Sequence, residues 1–137
     1  MHEYANLYIC ARNRMLYKRH GQHRDLCVLR VSPRVLELPD VVVTDGNAAS
    51  DYTRFAAAPD GLTIVDWDLT FAERWTSLDQ IDQWERSRRK CAEVLVPERV
   101  APEFIEGAYV SSDDSLANLR AVTGDLQMDV NPHLFFL

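Results

Sequence analysis

Residues Cys91–Val96 read CAEVLV, set between the basic run RSRRK (Arg86–Lys90) and Pro97. The β-branched Val94 and Val96 favour extended backbone, and Pro97, which has no N–H for a ladder, closes the run. A strand alternates its faces, so Cys91, Glu93 and Leu95 share one side and Ala92, Val94 and Val96 share the other. A carboxylate between two apolar neighbours on its own face is costly unless it is paired or put to use. Two readings follow. Glu93 is either an edge-strand residue pointing to water or a site carboxylate whose surroundings perturb its pKa for acid–base work.

The rest of the chain supplies partners for this strand. Tyr4–Cys10 alternates weakly, Leu26–Val31 (LCVLRV) is a strand, and Val41–Thr44 is rich in β-branched residues. Ala108–Ser111 and Leu126–Val130 read as two more strands. Helical signals are shorter. Met15–Arg19 is a short helix or turn closed by Gly21, and Ser32-Pro33 heads one helical turn as far as Leu36. Ser77-Leu78-Asp79-Gln80 has capping-box spacing, with Leu78, Ile81 and Trp84 following at helical intervals into the basic run. Ser112 or Asp113 caps a helix with Leu116, Leu119 and Val122 on one face, ended by Gly124. Asp45-Gly46 and Pro59-Asp60-Gly61 are turns by composition. Strands outnumber helices and the connections are irregular, which predicts a mixed α+β domain and not a doubly wound sheet.

The chain has 137 residues, of which 47% are hydrophobic and 26% charged. That suits one soluble domain with its own core. No apolar run approaches the roughly 20 residues of a membrane helix, and Met1-His2-Glu3-Tyr4 does not read as a signal peptide. Cys10, Cys27 and Cys91 are odd in number and unrelated in spacing, which argues against a disulfide framework and fits a reducing cytoplasm. The net charge of −6 is unevenly spread: residues 1–34 carry seven Lys/Arg against two acids, and residues 35–137 carry eight against nineteen. Four of those eight lie in Arg86–Lys90. Basic clusters in an acidic chain are either a solvated face or the meeting point for an anionic partner, such as cofactor phosphates or nucleic acid.

Arg12 directly follows the first strand, where a planar guanidinium either meets a phosphate or carboxylate or is simply solvated. His20 and His23 stand three apart with no acidic or Cys ligand in convincing relation to them, so no metal site is predicted. Gly21, Gly46 and Gly61 are isolated, and neither a dinucleotide fingerprint, a P-loop nor a G-x-S-x-G elbow occurs.

Three stretches, LYICARNRMLY (Leu7–Tyr17), TDGNAASDYTRF (Thr44–Phe55) and RRKCAEVLVP (Arg88–Pro97), resemble, in order, the signature blocks of the DarT family (DUF4433-type), bacterial toxins that ADP-ribosylate DNA bases using NAD. The resemblance implies a split, mixed β-sheet of the ADP-ribosyltransferase kind with short flanking helices. It implies that Glu93 is the catalytic glutamate and that Arg12 is the essential arginine, meeting the NAD pyrophosphate or the target base. Arg12, Met15 and Asn47 would contact NAD, with Ala48, Ala49 and Ser50 leaving it space, and Arg54, Arg86, Arg88 and Arg89 would meet the DNA backbone. A carboxylate suits an oxocarbenium-like transition state, and a single strand suits an enzyme that must reach a base edge. The implied partner is a macrodomain antitoxin of the DarG type. Family members begin with a His/Thr motif that binds the nicotinamide end and adenosine of NAD, tens of residues ahead of the block that starts here at Tyr4. His2 does not stand in that context, so the expectation is one domain over residues 1–137, incomplete at its N-terminus, with an NAD cleft lacking one wall. Two other functions remain open: a catalytically impaired relative that binds nucleic acid or a partner, and an ADP-ribosyltransferase acting on RNA.

Overall fold

The computed structural model describes residues 3–137; Met1 and His2 lie outside it. The chain divides into two compact units, one formed by residues up to Arg14 with Arg34–Val100, the other by Met15–Pro33 with Ala101–Leu137.

The first unit is built on a four-stranded sheet in the order β1-β5-β3-β4, every pair antiparallel. Its strands are β1 (Tyr4–Tyr8), β3 (Val42–Thr44), β4 (Phe55–Ala57) and β5 (Glu93–Pro97). The CAEVLV strand is therefore interior, with Glu93 opposite Tyr8 and Leu95 opposite both Asn6 and Val42. That excludes the edge-strand reading of Glu93. Glu93 through Val96 are all buried, with neighbouring strands flanking β5 on both sides. One face packs Val43 and Ala92 against Val65, with Ile9, Leu36, Ala58 and Leu62 around them. The other carries Glu93 and Leu95 as a buried floor, while Tyr4, Asn6 and Tyr8 of β1 and Phe55 of β4 are exposed along its flanks.

Two helices complete this unit, α2 (Trp67–Thr70) and α3 (Gln80–Lys90). The N-cap of α3 is Asp79, whose carboxylate accepts the Ile81 N–H at 2.8 Å, and Ser77 lies outside the helix. The helix is buried at its C-terminal half and not along its apolar side, which Ile81 and Trp84 share with Arg88 at i, i+3, i+7 spacing. It buries Ser87, Arg88 and Lys90 and exposes Ile81 and Trp84, with Leu78 ahead of it fully exposed. The reason is local: Lys90 Nζ donates to the carbonyls of Thr70 (3.2 Å) and Ala72, and Arg88 is paired inside the unit. Its polar ends, not its apolar side chains, have partners in the interior.

The second unit holds α1 (Arg14–Lys18) from Met15 onward and a three-stranded sheet, β2 (Val28–Val31), β6 (Ile105–Val110) and β7 (Met128–Val130). β6 is antiparallel to β2 and parallel to β7, the crossover being α4 (Asp113–Thr123). Ser112 caps α4, and Gly124 ends it at φ +65°, a conformation that favours glycine. His23 bonds Ser111 Oγ at 2.7 Å, and Ser115 Oγ donates to the Arg24 carbonyl at 2.9 Å. These bonds fasten the turn of 3-10 helix His20–Asp25 to the start of α4. Among the described residues no helix is long and apolar enough to cross a membrane.

Candidate functional site

Glu93 begins β5 two residues after the C-cap of α3, Cys91, so its position is set by a helix end and by strands on either side. Its side chain is 4% exposed, yet it lies on the sheet face that opens between β1 and β4. Both carboxylate oxygens are held: Asn6 Nδ2 donates to Oε1 at 3.1 Å and the Ala48 N–H donates to Oε2 at 2.6 Å. Its backbone N–H donates to Thr44 Oγ1 at 2.8 Å, and that hydroxyl donates on to the Gly46 carbonyl at 2.6 Å. Each oxygen of a carboxylate can accept more than one bond, so Glu93 can still receive a hydroxyl while staying fixed. Tyr8 stands opposite it. Partial burial, then the nearby Glu93 and Cys91, raise the Tyr8 phenol above its ordinary pKa.

The Ala48 amide is delivered by the loop 45–54, which joins β3 to β4 and is itself folded around Asp45. That carboxylate is 1% exposed. It accepts the Arg54 N–H at 2.9 Å, Arg54 Nε at 3.1 Å and Arg88 Nη1 at 3.1 Å. Burial pushes Asp45 up, but these hydrogen bonds outweigh it and the carboxyl titrates below its usual range. Arg88 also bonds Thr53 Oγ1 (3.1 Å) and Glu85 (2.7 Å), and its carbonyl accepts the Asn47 N–H at 3.0 Å. Gly46 is required here, since a Cβ would lie 2.7 Å from Arg88 Nη1 and 2.9 Å from the Arg88 carbonyl.

The sequence-predicted residues thus separate into distinct roles. Glu93, the loop carrying Asn47–Ser50, Arg54, Arg88 and Arg89 are joined in one network. Asn47 is exposed, and its Oδ1 accepts the Ala49 N–H at 3.0 Å, so the side chain shapes its own turn. Arg88, expected as a DNA contact, has a side chain 5% exposed and committed to Asp45, Glu85 and Thr53; it holds the loop. Arg54 and Arg86 have side chains 65% and 40% exposed, and Arg89 is 24% exposed beside Glu85. Arg12, half-buried beyond β1, donates from Nη1 to the Glu73 carbonyl at 2.8 Å. Met15 belongs to the second unit and is exposed there. Among the described residues no group of three or more His, Cys, Asp or Glu is placed to hold a metal ion.

Asp45, Asn6 and Tyr8 escaped the sequence reading. Asn6 and Tyr8 alternate in phase with each other along β1, but only the register with β5 shows that their face is that of Glu93. Asp45 is indistinguishable in sequence from any Asp-Gly turn.

Residues 1–136 match the family described as DarT, ssDNA thymidine ADP-ribosyltransferase. The chain is 33% identical to a DNA ADP-ribosyl transferase–DNA ADP-ribosyl glycohydrolase fusion protein of Thermosipho africanus, across 98% of this chain and 35% of that protein. It is 29% identical to a DNA ADP-ribosyl transferase of Mycobacterium tuberculosis, across 88% of this chain and 56% of that one. It spans between a third and just over half of these relatives. The solved Thermosipho africanus DarTG in complex with ADP-ribose superposes with a TM-score of 0.82 at 30% identity, covering 98% of this chain and 36% of that chain. The DarT of Thermus sp. 2.9 shares the fold at 20% identity over 96% of this chain. Its TM-score is 0.80 in complex with NAD+ (71% of that chain) and 0.78 with ADP-ribosylated ssDNA (68%).

Proposed function

The chain belongs to the DarT family, and on that premise we propose that it transfers ADP-ribose from NAD to thymidine in single-stranded DNA. The observation that carries this reading is the Glu93 carboxylate, buried on an open sheet face with both oxygens held by neutral donors. In the transfer the bond between ribose C1′ and the nicotinamide nitrogen breaks and nicotinamide leaves as a neutral molecule. The electron-deficient ribosyl carbon is taken by a base atom, which gives up one proton. Positive charge builds on the sugar before the new bond forms, so a fixed anion beside it stabilises the transition state more than the ground state. Glu93 fills that role, accepting a ribose hydroxyl while Asn6 and Ala48 keep the carboxylate from turning away. Arg12, whose Nη1 donates to the Glu73 carbonyl, brings a fixed positive charge to the pyrophosphate of NAD.

The Thermosipho africanus relative joins a DNA ADP-ribosyl transferase to a glycohydrolase. A glycohydrolase would remove the group that this chain attaches, which supports a toxin–antitoxin pairing with a macrodomain glycohydrolase. The three free cysteines suit the cytoplasm, where DNA is within reach.

Incubation with NAD and mixed-sequence single-stranded oligonucleotides, followed by mass measurement, tests the reading. Oligonucleotides containing thymidine are expected to gain one ADP-ribose, and Glu93→Ala to abolish the gain while the protein stays folded. Unmodified DNA from folded wild-type protein, across several thymidine contexts, would sink it.

A further inference from the structure

The N-terminal half of α3 and Leu78 ahead of it leave large apolar side chains outside. Ile81 is 79% exposed and Trp84 46%, and Leu78 just before the helix is wholly exposed. Tyr52, 73% exposed, leaves the loop 45–54 to meet Trp84 edge to face at 5.2 Å and 84°. Large apolar side chains gathered outside, on a helix whose polar side chains are gathered inside, mark a surface kept for an occupant. Three observations favour a nucleic-acid strand. The two aromatic rings meet edge to face, an arrangement that leaves flat ring surface on which bases of any identity can stack. Arg54 follows Tyr52 by two residues in the same loop, and Arg86 lies on the helix that carries Trp84; each has its Nε on a carboxylate, Asp45 at 3.1 Å and Asp82 at 2.8 Å, but their side chains are 65% and 40% exposed, so both present charge at the surface for phosphates. The loop that presents Tyr52 is the one whose Ala48 amide holds Glu93, so the surface is tied covalently to the reacting carboxylate.

We propose that Tyr52 and Trp84 form a stacking platform for nucleotides flanking the modified base of a single strand, with Arg54 and Arg86 on its phosphates. The platform rests on the reading of single-stranded DNA as substrate and extends it to the neighbouring nucleotides. It gives affinity with little dependence on sequence, because every base has a π face.

The test titrates the full chain, without NAD, against fluorescent thymidine-containing single strands of about ten nucleotides, near the middle of the usual site sizes. Tyr52→Ala and Trp84→Ala are each expected to weaken binding roughly tenfold or more, with Trp84→Phe keeping most of the affinity. Since neither removes a charge, the slope of log affinity against log salt stays at its wild-type value. Circular dichroism and thermal melting establish that each variant is folded. Wild-type affinity in the folded double variant overturns the platform and leaves the transferase reading standing, as does self-association of the wild type that disappears in the double variant with DNA affinity unchanged. Binding that depends on both aromatic residues, with no transfer on adding NAD, upholds the platform and sinks the transferase. A wild type that binds no single strand overturns the platform whatever the transfer assay gives.

Discussion

In the proposed transfer Glu93 combines two demands that usually conflict, burial and service. Burying a carboxylate is costly without donors. Here the donors come from different sources, a strand side chain (Asn6) and a loop amide (Ala48), and neither carries a charge that would neutralise it. A cationic partner would have stabilised Glu93 equally well but cancelled the field that a cationic transition state needs. Asn6→Ala is therefore expected to lower kcat for transfer by about tenfold, the cost of one hydrogen bond to a charged group. KM for NAD should change little if Asn6 acts by orienting the carboxylate; a KM effect with kcat intact would refute that role. Gly46 is the second residue on which the site depends. Its missing Cβ makes room for Arg88, whose side chain is pinned by three partners and cannot move aside. Gly46→Ala is expected to destabilise the fold by about 1–3 kcal/mol, the usual cost of overpacking, measured by urea denaturation.

At the scale of elements, the loop 45–54 and α3 are locked together by acids held ionised. Hydrogen bonds from Arg88, opposed by some burial and aided by Arg89, bring Glu85 down to about 2, and Asp45 is also lowered. Carboxylates whose pKa falls on folding contribute stability above their unfolded pKa and lose it as pH falls through the folded value. The Glu85 share is thus complete at neutral pH and disappears between its ordinary 4.5 and about 2. Solvent screens part of it, since its side chain is 36% exposed. Denaturation midpoints measured from pH 7 to pH 3 should fall more steeply for wild type than for Glu85→Gln, and parallel curves would refute the linkage. The same pair of elements shows what the sequence could reveal. The existence of α3, and of strands at 42–44 and 93–97, followed from periodicity and β-branching. The inward side of α3 did not, because its partners, the Asp45 carboxylate and the carbonyls of Thr70 and Ala72, come from segments distant in sequence. β4 was missed because Phe-Ala-Ala carries little strand propensity and forms only by pairing with β3. Glu93 itself was legible as a charge in apolar company, whereas its donors required the strand register.

For the whole molecule, the proposed substrate raises the question of how a chain of net charge −6 would engage an anionic polymer. Counting by sequence, Arg54 and the run Arg86–Lys90 offer five cations. Folding withdraws Lys90, which is 2% exposed, and Arg88, whose charge is spent on Asp45 and Glu85. A cation that reaches no phosphate releases no counterion, so it cannot contribute to the salt dependence of binding. For single strands each phosphate contact adds about 0.7 to the magnitude of the slope of log affinity against log salt. Arg54→Ala and Arg86→Ala should each reduce that magnitude by about 0.7, whereas Lys90→Met should leave it unchanged in any protein that remains folded. Reduction by Lys90→Met equal to that from Arg54→Ala would mean that the ammonium leaves its carbonyl partners to meet DNA, and that α3 turns over when a strand binds. With α3 as it stands, its cations divide: Arg88 holds the loop 45–54 through Asp45, Lys90 ties the helix to the carbonyls of Thr70 and Ala72, and Arg86 is left at the surface, where the proposed strand would meet it.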